Sequence, residues 1–392
     1  DNIEGLDDAV RLESAGAVAA FRSLSPKPAA KWPALADHPD TKHLAHLKVD
    51  LNKGMSFELD GEALRQALAF AATPVSAKWG RKVLFGIRGA LPKVTMSEEI
   101  SVKFSPSVSM REVEPNHADY HCTIGVWDLD TDEIFVCHGS TVPAIGYLWH
   151  SVHGRSGDAI GKSSNMMAPG VYFHTVGTHA NATGSRQPGA FRQAAKLCVM
   201  RLASDEISFR QGNVKWDTST DASDIRIWDN IHAGLMASTD WVAKHYSAGC
   251  QVVRGSVATN TSRDQPTGHW RAFREAAGLA TVPDVRAKPA GNHPDVSTPE
   301  DGEPFAYVLL TAREVRLAAE HPDALPTDMQ FFKLRRGSQG ETVKALQTAL
   351  GVKADGDFGF LTQQALIRKQ LELTGEADGV VTAANAAALG VA

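Results

Sequence analysis

The sequence predicts an α+β protein in which a β-rich domain is followed by a small helical domain. Short apolar runs joined by Gly and Asp turns recur between residues 82 and 310, a pattern that is typical of strands in a compact sheet. Near the C-terminal end, apolar residues lie three and four positions apart, which is the period of an amphipathic helix. The chain of 392 residues is long enough to form more than one hydrophobic core.

The strand predictions follow the apolar runs in order. A tight turn over residues 128–132 joins two of them into a hairpin. The predicted strands are Val83–Ile87, Thr123–Trp127, Ile134–Val136, Gly170–Phe173, Lys196–Met200, Ile225–Ile231 and Phe305–Leu310. Because the last run has the same character as the others, we assign it to the same sheet.

Two helices and one long loop complete the β-rich part. Ala63–Ala71 has helical composition, and Trp270–Ala277 reads as a helix that stops at Gly278. The segment Lys288–Pro304 is rich in Pro, Gly, Asp and Glu. We therefore predict an exposed loop or a mobile excursion there, and a linker boundary is the alternative.

Composition and charge exclude two classes of partner. The net charge of -5 and the pI near 6.3 lack the basic excess of a nucleic-acid-binding surface. No apolar run approaches the roughly 20 residues that a membrane-spanning helix needs. We predict neither nucleic acid as a partner nor a membrane span.

The cysteines give weak evidence for a disulfide framework. Cys122 and Cys137 flank the predicted hairpin and could form a disulfide in an oxidising compartment. Two buried thiols are the favoured alternative.

A histidine and a glycine-preceded cysteine stand eighteen residues apart, in the segments 231–234 and 247–250. A thiol becomes nucleophilic when it loses its proton, and a histidine within hydrogen-bond reach is the usual base. Gly249 lets the backbone turn tightly and brings amide N–H groups near the Cys250 sulfur, where an oxyanion would form. His232 and Cys250 therefore predict acyl transfer through a thiolate. Unrelated core or surface residues are the alternative.

Both segments resemble the L,D-transpeptidase family of peptidoglycan enzymes, of the phage-associated type. In that family a strand ends in Ile-His-Gly, and Ser-His-Gly-Cys follows a loop later. Here Ala233 is inserted before the glycine, Ala248 replaces the second histidine, and Val252 stands where Arg or Asn is expected. A looser similarity extends to Gly86–Gly89 and Met167–Phe173.

The resemblance implies a catalytic mechanism. Cys250, deprotonated by His232, would attack the peptide bond between the L-centre of diaminopimelate and the following D-residue and form a thioester. The amides of Gly249 and Cys250 would hold the oxyanion, and the carbonyl of Ala233 would orient the imidazole. An amine acceptor would make the enzyme a transpeptidase. Water would make it a carboxypeptidase or an endopeptidase.

Five further residues are candidates for binding substrate. Ser247 belongs to the cysteine motif, and Arg254 or Arg226 could supply a positive charge near it. His174 and His179 are expected to line the groove or cap strand ends and are secondary candidates for binding substrate carboxylates. Ordinary half-exposed histidines are the alternative.

Histidine spacing also raises a metal hypothesis. His150 and His153 are three residues apart, and His174 and His179 are five apart. The chain has no His-Glu-x-x-His and no His-x-His, so the common ligand spacings are missing. We predict no metal and no cofactor.

The C-terminal segment contains a half-repeat. Val343, Leu346 and Leu350 form one apolar helix face, and the turn at Asp355–Gly359 recurs at Asp378–Thr382. The segment resembles the small peptidoglycan-binding domain of many wall hydrolases. A generic three-helix module without a ligand is the alternative.

These observations predict four segments: a partly helical N-terminal region of unknown role (1–80), a catalytic domain (81–315), a linker (316–335) and a peptidoglycan-binding domain (336–392). The predicted function is cysteine-dependent acyl transfer or hydrolysis on peptidoglycan stem peptides, periplasmic or extracellular at the cell wall. The alternative is a non-catalytic wall-binding or structural component of a phage-like or secretion assembly, which makes a larger assembly a further candidate partner.

Overall fold

The computed structural model describes residues 55–391, except for residues 95, 98, 114, 116, 118, 145–146, 149–150, 152–163, 181–185, 203–215, 218–228, 235–244, 246, 257–265, 281–285, 289–294, 326–331 and 376. Predictions for residues 1–54, for His150, His153 and Arg226, and for most of the strand from residue 225 lie outside the described residues. No described helix is long and apolar enough to cross a membrane.

The described chain is a mixture of strands and helices, which confirms the α+β class. In chain order the elements are β1 (Ser56–Asp60), α1 (Gly61–Ala69), β2 (Lys82–Arg88), β3 (Ala90–Pro92), β4 (Ser107–Glu112), β5 (Cys122–Asp128), β6 (Ile134–Ser140), β7 (Asn165–Met167), β8 (Gly170–Ala180), β9 (Arg186–Gln193), β10 (Val199–Leu202), β11 (Trp216–Asp217), β12 (Ile231–Ala233), β13 (Gln251–Val253), α2 (Gly268–Ala276), β14 (Arg286–Lys288), β15 (Asp295–Ser297), β16 (Pro304–Thr311), α3 (Ala312–Glu320), β17 (Lys333–Leu334), α4 (Glu341–Ala349), α5 (Phe360–Thr374), β18 (Val381–Thr382) and α6 (Ala383–Ala386). The two predicted helices of the β-rich part correspond to α1 and α2, and the second is followed at Gly278 by a left-handed φ of 87°.

Eight strands close into a barrel with the spatial order β12-β13-β6-β5-β2-β16-β8-β9. The predicted strands at residues 83–87, 123–127, 134–136, 170–173 and 305–310 all belong to this barrel, so the assignment of the last run to the same sheet is confirmed. Most neighbours are antiparallel, but β2 is parallel to β16 and β12 is parallel to β13. Because β12 and β13 start at the same edge, the residues that precede them lie side by side.

Successive residues of the barrel strands alternate between two hydrophobic cores, as the period of two in a strand requires. On β16, Phe305, Tyr307 and Leu309 belong to one core, and Ala306, Val308 and Leu310 belong to the other. Burial on both faces explains why these strands appear in the sequence as continuous apolar runs.

The second core also contains residues from the segment that precedes residue 80. Phe57, Leu64 and Trp79 pack in the same cluster as Phe85 of β2 and Ala318 of α3. The described end of the predicted N-terminal region and the start of the predicted linker therefore share one core with the barrel.

A buried ion pair joins α3 to the segment that leads into the C-terminal helices. Arg335 donates to Glu314 at 2.6 Å, and Lys333 contacts the same carboxylate at 3.1 Å. Burial alone would raise the pKa of Glu314, but the charges of Arg335 and Lys333 and the hydrogen bond from Thr311 hold this pKa below its ordinary value. The carboxylate therefore stays charged and fixes the position of β17.

Residues 334–391 have a small core of their own, which includes Leu346, Leu366 and Val381. The half-repeat of the sequence is also a repeat of hydrogen bonds. The side-chain amide of Gln347 donates to Asp355 at 2.8 Å and accepts from the Gly356 amide at 2.8 Å. Gln370 makes the same pair of contacts with Asp378 (2.7 Å) and Gly379 (2.9 Å). Gly356 and Gly379 both have a left-handed φ, which favours glycine at the same place in each half.

Two predictions about the connections have clear outcomes. The cysteines are all free and buried, and Cys122 lies opposite Gly139 while Cys137 lies opposite Ile124. The prediction of an exposed loop over residues 288–304 is partly wrong, because β14 and β15 pair as antiparallel strands. These strands have three residues each, too few to produce a visible alternation beside the Pro- and Gly-rich composition.

Candidate functional site

The candidate site lies where β12 and β13 begin. Ile231 is in register with Gln251, and the amide of Gln251 donates to the carbonyl of Asn230 at 2.8 Å. The parallel pairing therefore places Asn230 beside Cys250, although the two residues are twenty positions apart in the chain.

His179, His232 and Cys250 come together at this place. Each offers one nitrogen or sulfur atom, and these atoms all lie within 4.8 Å of one another. All three side chains are buried, and the thiol-bearing Cys250 is only 3% exposed. The rings of His179 and His232 are stacked, with centroids 4.3 Å apart and 13° between their planes. The pair indicated by the sequence is thus joined by a third residue from β8.

The position of the proton on His232 follows from its backbone contact. Nδ1 lies 2.6 Å from the carbonyl oxygen of Ala233. Because a carbonyl oxygen only accepts, Nδ1 carries the hydrogen and donates it. In the neutral ring Nε2 is then the basic nitrogen.

The backbone of Asn230 contacts the sulfur directly. Its N–H group donates to Sγ of Cys250 at 3.3 Å. A donor at this place stabilises negative charge on sulfur, which favours the thiolate that acts as the nucleophile.

The side chain of Asn230 fixes the tautomer of His179. The backbone N–H of Gln193 donates to Oδ1 of Asn230 at 3.1 Å, which identifies the other end of the amide as the NH₂ group. That NH₂ group lies 2.8 Å from Nδ1 of His179. Nδ1 therefore accepts, and the neutral ring carries its hydrogen on Nε2.

The turn before Cys250 is held by its own side chains. Ser247 donates from Oγ to the carbonyl of Cys250 at 2.7 Å and accepts from the amide of Gly249 at 3.0 Å. The expected substrate-binding residue Ser247 thus supports the turn. The Gly249 amide, expected to hold an oxyanion, is directed at Ser247.

Gly249 is packed against a buried polar pair. The side-chain amide of Asn165 donates to both carboxylate oxygens of Asp229, at 2.9 and 2.8 Å. A Cβ on Gly249 would lie 1.5 Å from one terminal atom of the Asn165 amide and 2.7 Å from Asp229. Only glycine fits this position without moving the pair.

Two other sequence candidates lie in different surroundings. His174 is buried with its ring perpendicular to that of Tyr307, and Nε2 donates to the carbonyl of Asp229 at 3.1 Å. The backbone of Arg254 is hydrogen-bonded to His138 and Trp270. The pKa of His269 is lowered chiefly by burial, but also by the charge of Arg254. These contacts place His174 next to the backbone of Asp229, and they place Arg254 next to α2.

The polar residues that hold the trio of His179, His232 and Cys250 in place were not identified from the sequence. Asn165, Gln193, Asp229 and Asn230 come from three separate stretches of chain, and all are buried. One signal was present: the Asp-Asn doublet directly before Ile231 puts two polar side chains at the start of an apolar strand.

A cysteine and two histidines are also ligand types for Zn²⁺, and this trio is a group that satisfies the spacing among the described residues. His232 has the arrangement of a metal ligand, because its second nitrogen donates to a carbonyl. His179 has the opposite arrangement: its Nδ1 accepts from Asn230, which leaves a hydrogen on Nε2. The hydrogen bonds therefore favour thiol chemistry over a three-ligand metal centre.

Burial of His174 makes stability dependent on pH. Loss of hydration lowers the pKa of this residue from 6.5 to about 4. Between these two values the unfolded chain takes up a proton that the folded chain does not, so stability falls as the pH is lowered through this window. We expect the protonation of His174 to lower the free energy of unfolding by roughly 3 kcal/mol across this pH window.

His174→Gln keeps a donor for the Asp229 carbonyl and removes the titration. Urea unfolding at several pH values between 4 and 7 should give a shallower pH dependence for the variant. His138 and His245, whose pKa values are also lowered to about 4, remain in both proteins. Equal slopes for the two proteins would contradict the assignment.

Comparisons with protein-family models, curated proteins and solved structures return no match to this chain.

Proposed function

We propose that this protein is a cysteine-dependent enzyme that acts on peptidoglycan stem peptides through a thioester on Cys250. The observation that carries the proposal is the pairing of a fixed base with a stabilised thiol. His232 is oriented by the Ala233 carbonyl at 2.6 Å, and the Cys250 sulfur accepts the Asn230 amide at 3.3 Å. A base held by a third group beside a nucleophile is the arrangement that thiol acyl transfer requires.

The proposed reaction has two half-steps. The thiol proton of Cys250 passes to Nε2 of His232 as the sulfur attacks the carbonyl carbon of the stem peptide, and the carbonyl electron pair moves to oxygen. Collapse of this intermediate breaks the C–N bond, and His232 returns the proton to the leaving amine. The resulting thioester is then resolved by an amine from a second stem or by water, which decides between transfer and hydrolysis.

The C-terminal unit is proposed to hold the enzyme at the wall. Its support is the resemblance to peptidoglycan-binding domains together with the repeated Gln–Asp–Gly hydrogen bonds around Gln347 and Gln370. Because the proposed substrate is the cell wall, the proposed location is the periplasm or the outside of the cell.

Acyl-enzyme trapping tests the proposal. The protein is mixed with a soluble stem tetrapeptide, quenched in acid and analysed by intact mass spectrometry. We expect an added tripeptide acyl group on Cys250 and release of the terminal D-residue. Cys198→Ala, which removes another buried thiol, should behave like the wild type, and Cys250→Ala should show neither product. An adduct that persists in Cys250→Ala would contradict the proposal.

The second candidate is a non-catalytic wall-binding or structural protein of a larger assembly. The observation that favours it is that residues 334–391 keep a repeat and a core of their own, independent of any chemistry at Cys250. Alkylation by iodoacetamide separates the two candidates. A Cys250 that reacts no faster than Cys122 in the folded protein would favour the non-catalytic role.

A further inference from the structure

The turn that precedes Cys250 lacks one of the donors that an oxyanion needs. In thiol acyl transfer, donors must point at the oxygen that becomes negative when sulfur adds to the carbonyl. The amide of Gly249 is directed at Ser247 Oγ at 3.0 Å, and that hydroxyl in turn donates to the carbonyl of Cys250. Another group is therefore required to stabilise this charge.

His179 carries a hydrogen that can supply the missing hydrogen bond to the oxyanion. Its Nδ1 accepts from Asn230, whose orientation is set by the Gln193 amide. The ring therefore carries its hydrogen on Nε2, where it can only donate. One ring nitrogen of His179 lies within 4.8 Å of the sulfur, so the ring stands beside the atom that the substrate carbonyl must approach.

The neutral state of His179 matters as much as its tautomer. Its ring is stacked on His232 with 4.3 Å between centroids, so a positive charge on His179 would oppose the protonation of His232 during attack. Asn230 prevents this, because its NH₂ group occupies the Nδ1 lone pair. His179 can then donate without competing with the base.

We propose that His179 is a further catalytic residue, which donates a hydrogen bond from Nε2 to the oxyanion formed when Cys250 adds to the substrate carbonyl. The proposal rests on the proposed function. As the S–C bond forms, the thiol proton goes to His232 and the carbonyl electron pair goes to oxygen, which His179 binds without transferring its own proton. When the oxygen reforms its double bond, the leaving group departs and His179 is released unchanged.

Two reagents separate this role from activation of the thiol. p-Nitrophenyl acetate acylates the sulfur through an oxyanion, whereas iodoacetamide alkylates it without one. His179→Phe keeps a ring against His232 and removes the donor, and His179→Gln retains an N–H donor. We expect His179→Phe to slow acylation of Cys250 by about 100-fold or more and to change alkylation by less than about threefold. His179→Gln should recover most of the acylation rate.

Several results would overturn the inference. Equal losses of acylation and alkylation in His179→Phe and His179→Gln would show that His179 acts on the thiol. Equal losses of acylation in the two variants, with alkylation unchanged, would show that the N–H donor is irrelevant. Wild-type acylation rates in both variants would show the same. Failure of the wild-type protein to acylate at Cys250 would overturn the proposed function and this inference with it.

Imidazole ¹⁵N chemical shifts give a test that needs no variant at the site to fold. In the wild-type protein at neutral pH, we expect a protonated Nε2 and an unprotonated Nδ1 for His179, and the reverse for His232. A protonated Nδ1 on His179 would contradict the donor assignment whatever the kinetics show.

Discussion

His232→Asn is expected to slow acylation of Cys250 by about 100- to 10,000-fold, the usual contribution of a positioned general base. The asparagine amide can still donate to the Ala233 carbonyl, which Nδ1 of His232 contacts at 2.6 Å. It has no group equivalent to the basic Nε2. The variant therefore removes proton transfer and keeps the local hydrogen bond.

The rate is measured with p-nitrophenyl acetate, and intact mass identifies the acetylated residue. His174→Gln is the matched control, because it changes another buried histidine of the same barrel whose ring contacts Tyr307. Wild-type acylation rates in His232→Asn would show that another group removes the thiol proton and would end the assigned role of His232.

Gly249→Ala is expected to destabilise the protein by about 3 kcal/mol and to abolish most acylation, because overpacking of a filled site forces backbone movement. The added Cβ would lie 1.5 Å from the Asn165 amide and 2.7 Å from Asp229. Neither neighbour can yield easily, since the two side chains hold each other through two hydrogen bonds. The turn itself must therefore move, and Cys250 moves with it.

Urea unfolding and the acylation assay measure the two effects. Gly359→Ala is a suitable control, since the nearest atom to its added Cβ is 4.0 Å away. We expect this control to stay within about 1 kcal/mol of the wild type, as Gly-to-Ala changes in an accommodating site do. A Gly249→Ala protein as stable and as reactive as the control would show that the site is not packed as described.

The barrel was largely predictable from the sequence because its strands are buried on both faces. The runs at residues 83–87, 123–127 and 305–310 contain almost only apolar residues, and the two cores explain this composition. The closure of the sheet was not predictable, since it depends on pairings such as β2 with β16 between distant parts of the chain. Apolar periodicity identifies strands but does not specify their partners.

The candidate site was predictable only in part for the same reason. His232 and Cys250 lie in recognisable motifs, whereas His179 reaches them from β8, and Asn165 of β7 packs against Gly249. Asn230 has no motif of its own, and its importance follows from the tautomer that it imposes on His179. Hydrogen-bond direction is a property of the assembled site.

Incubation with purified sacculi shows whether Cys250 carries out chemistry on peptidoglycan. Wild-type protein and Cys250→Ala are incubated with sacculi, and the soluble and insoluble products are identified by mass spectrometry. We expect new cross-links or cleaved stem peptides with the wild type alone, and retention of both proteins on the sacculi. Identical products from the two proteins would contradict a peptidoglycan enzyme that works through Cys250.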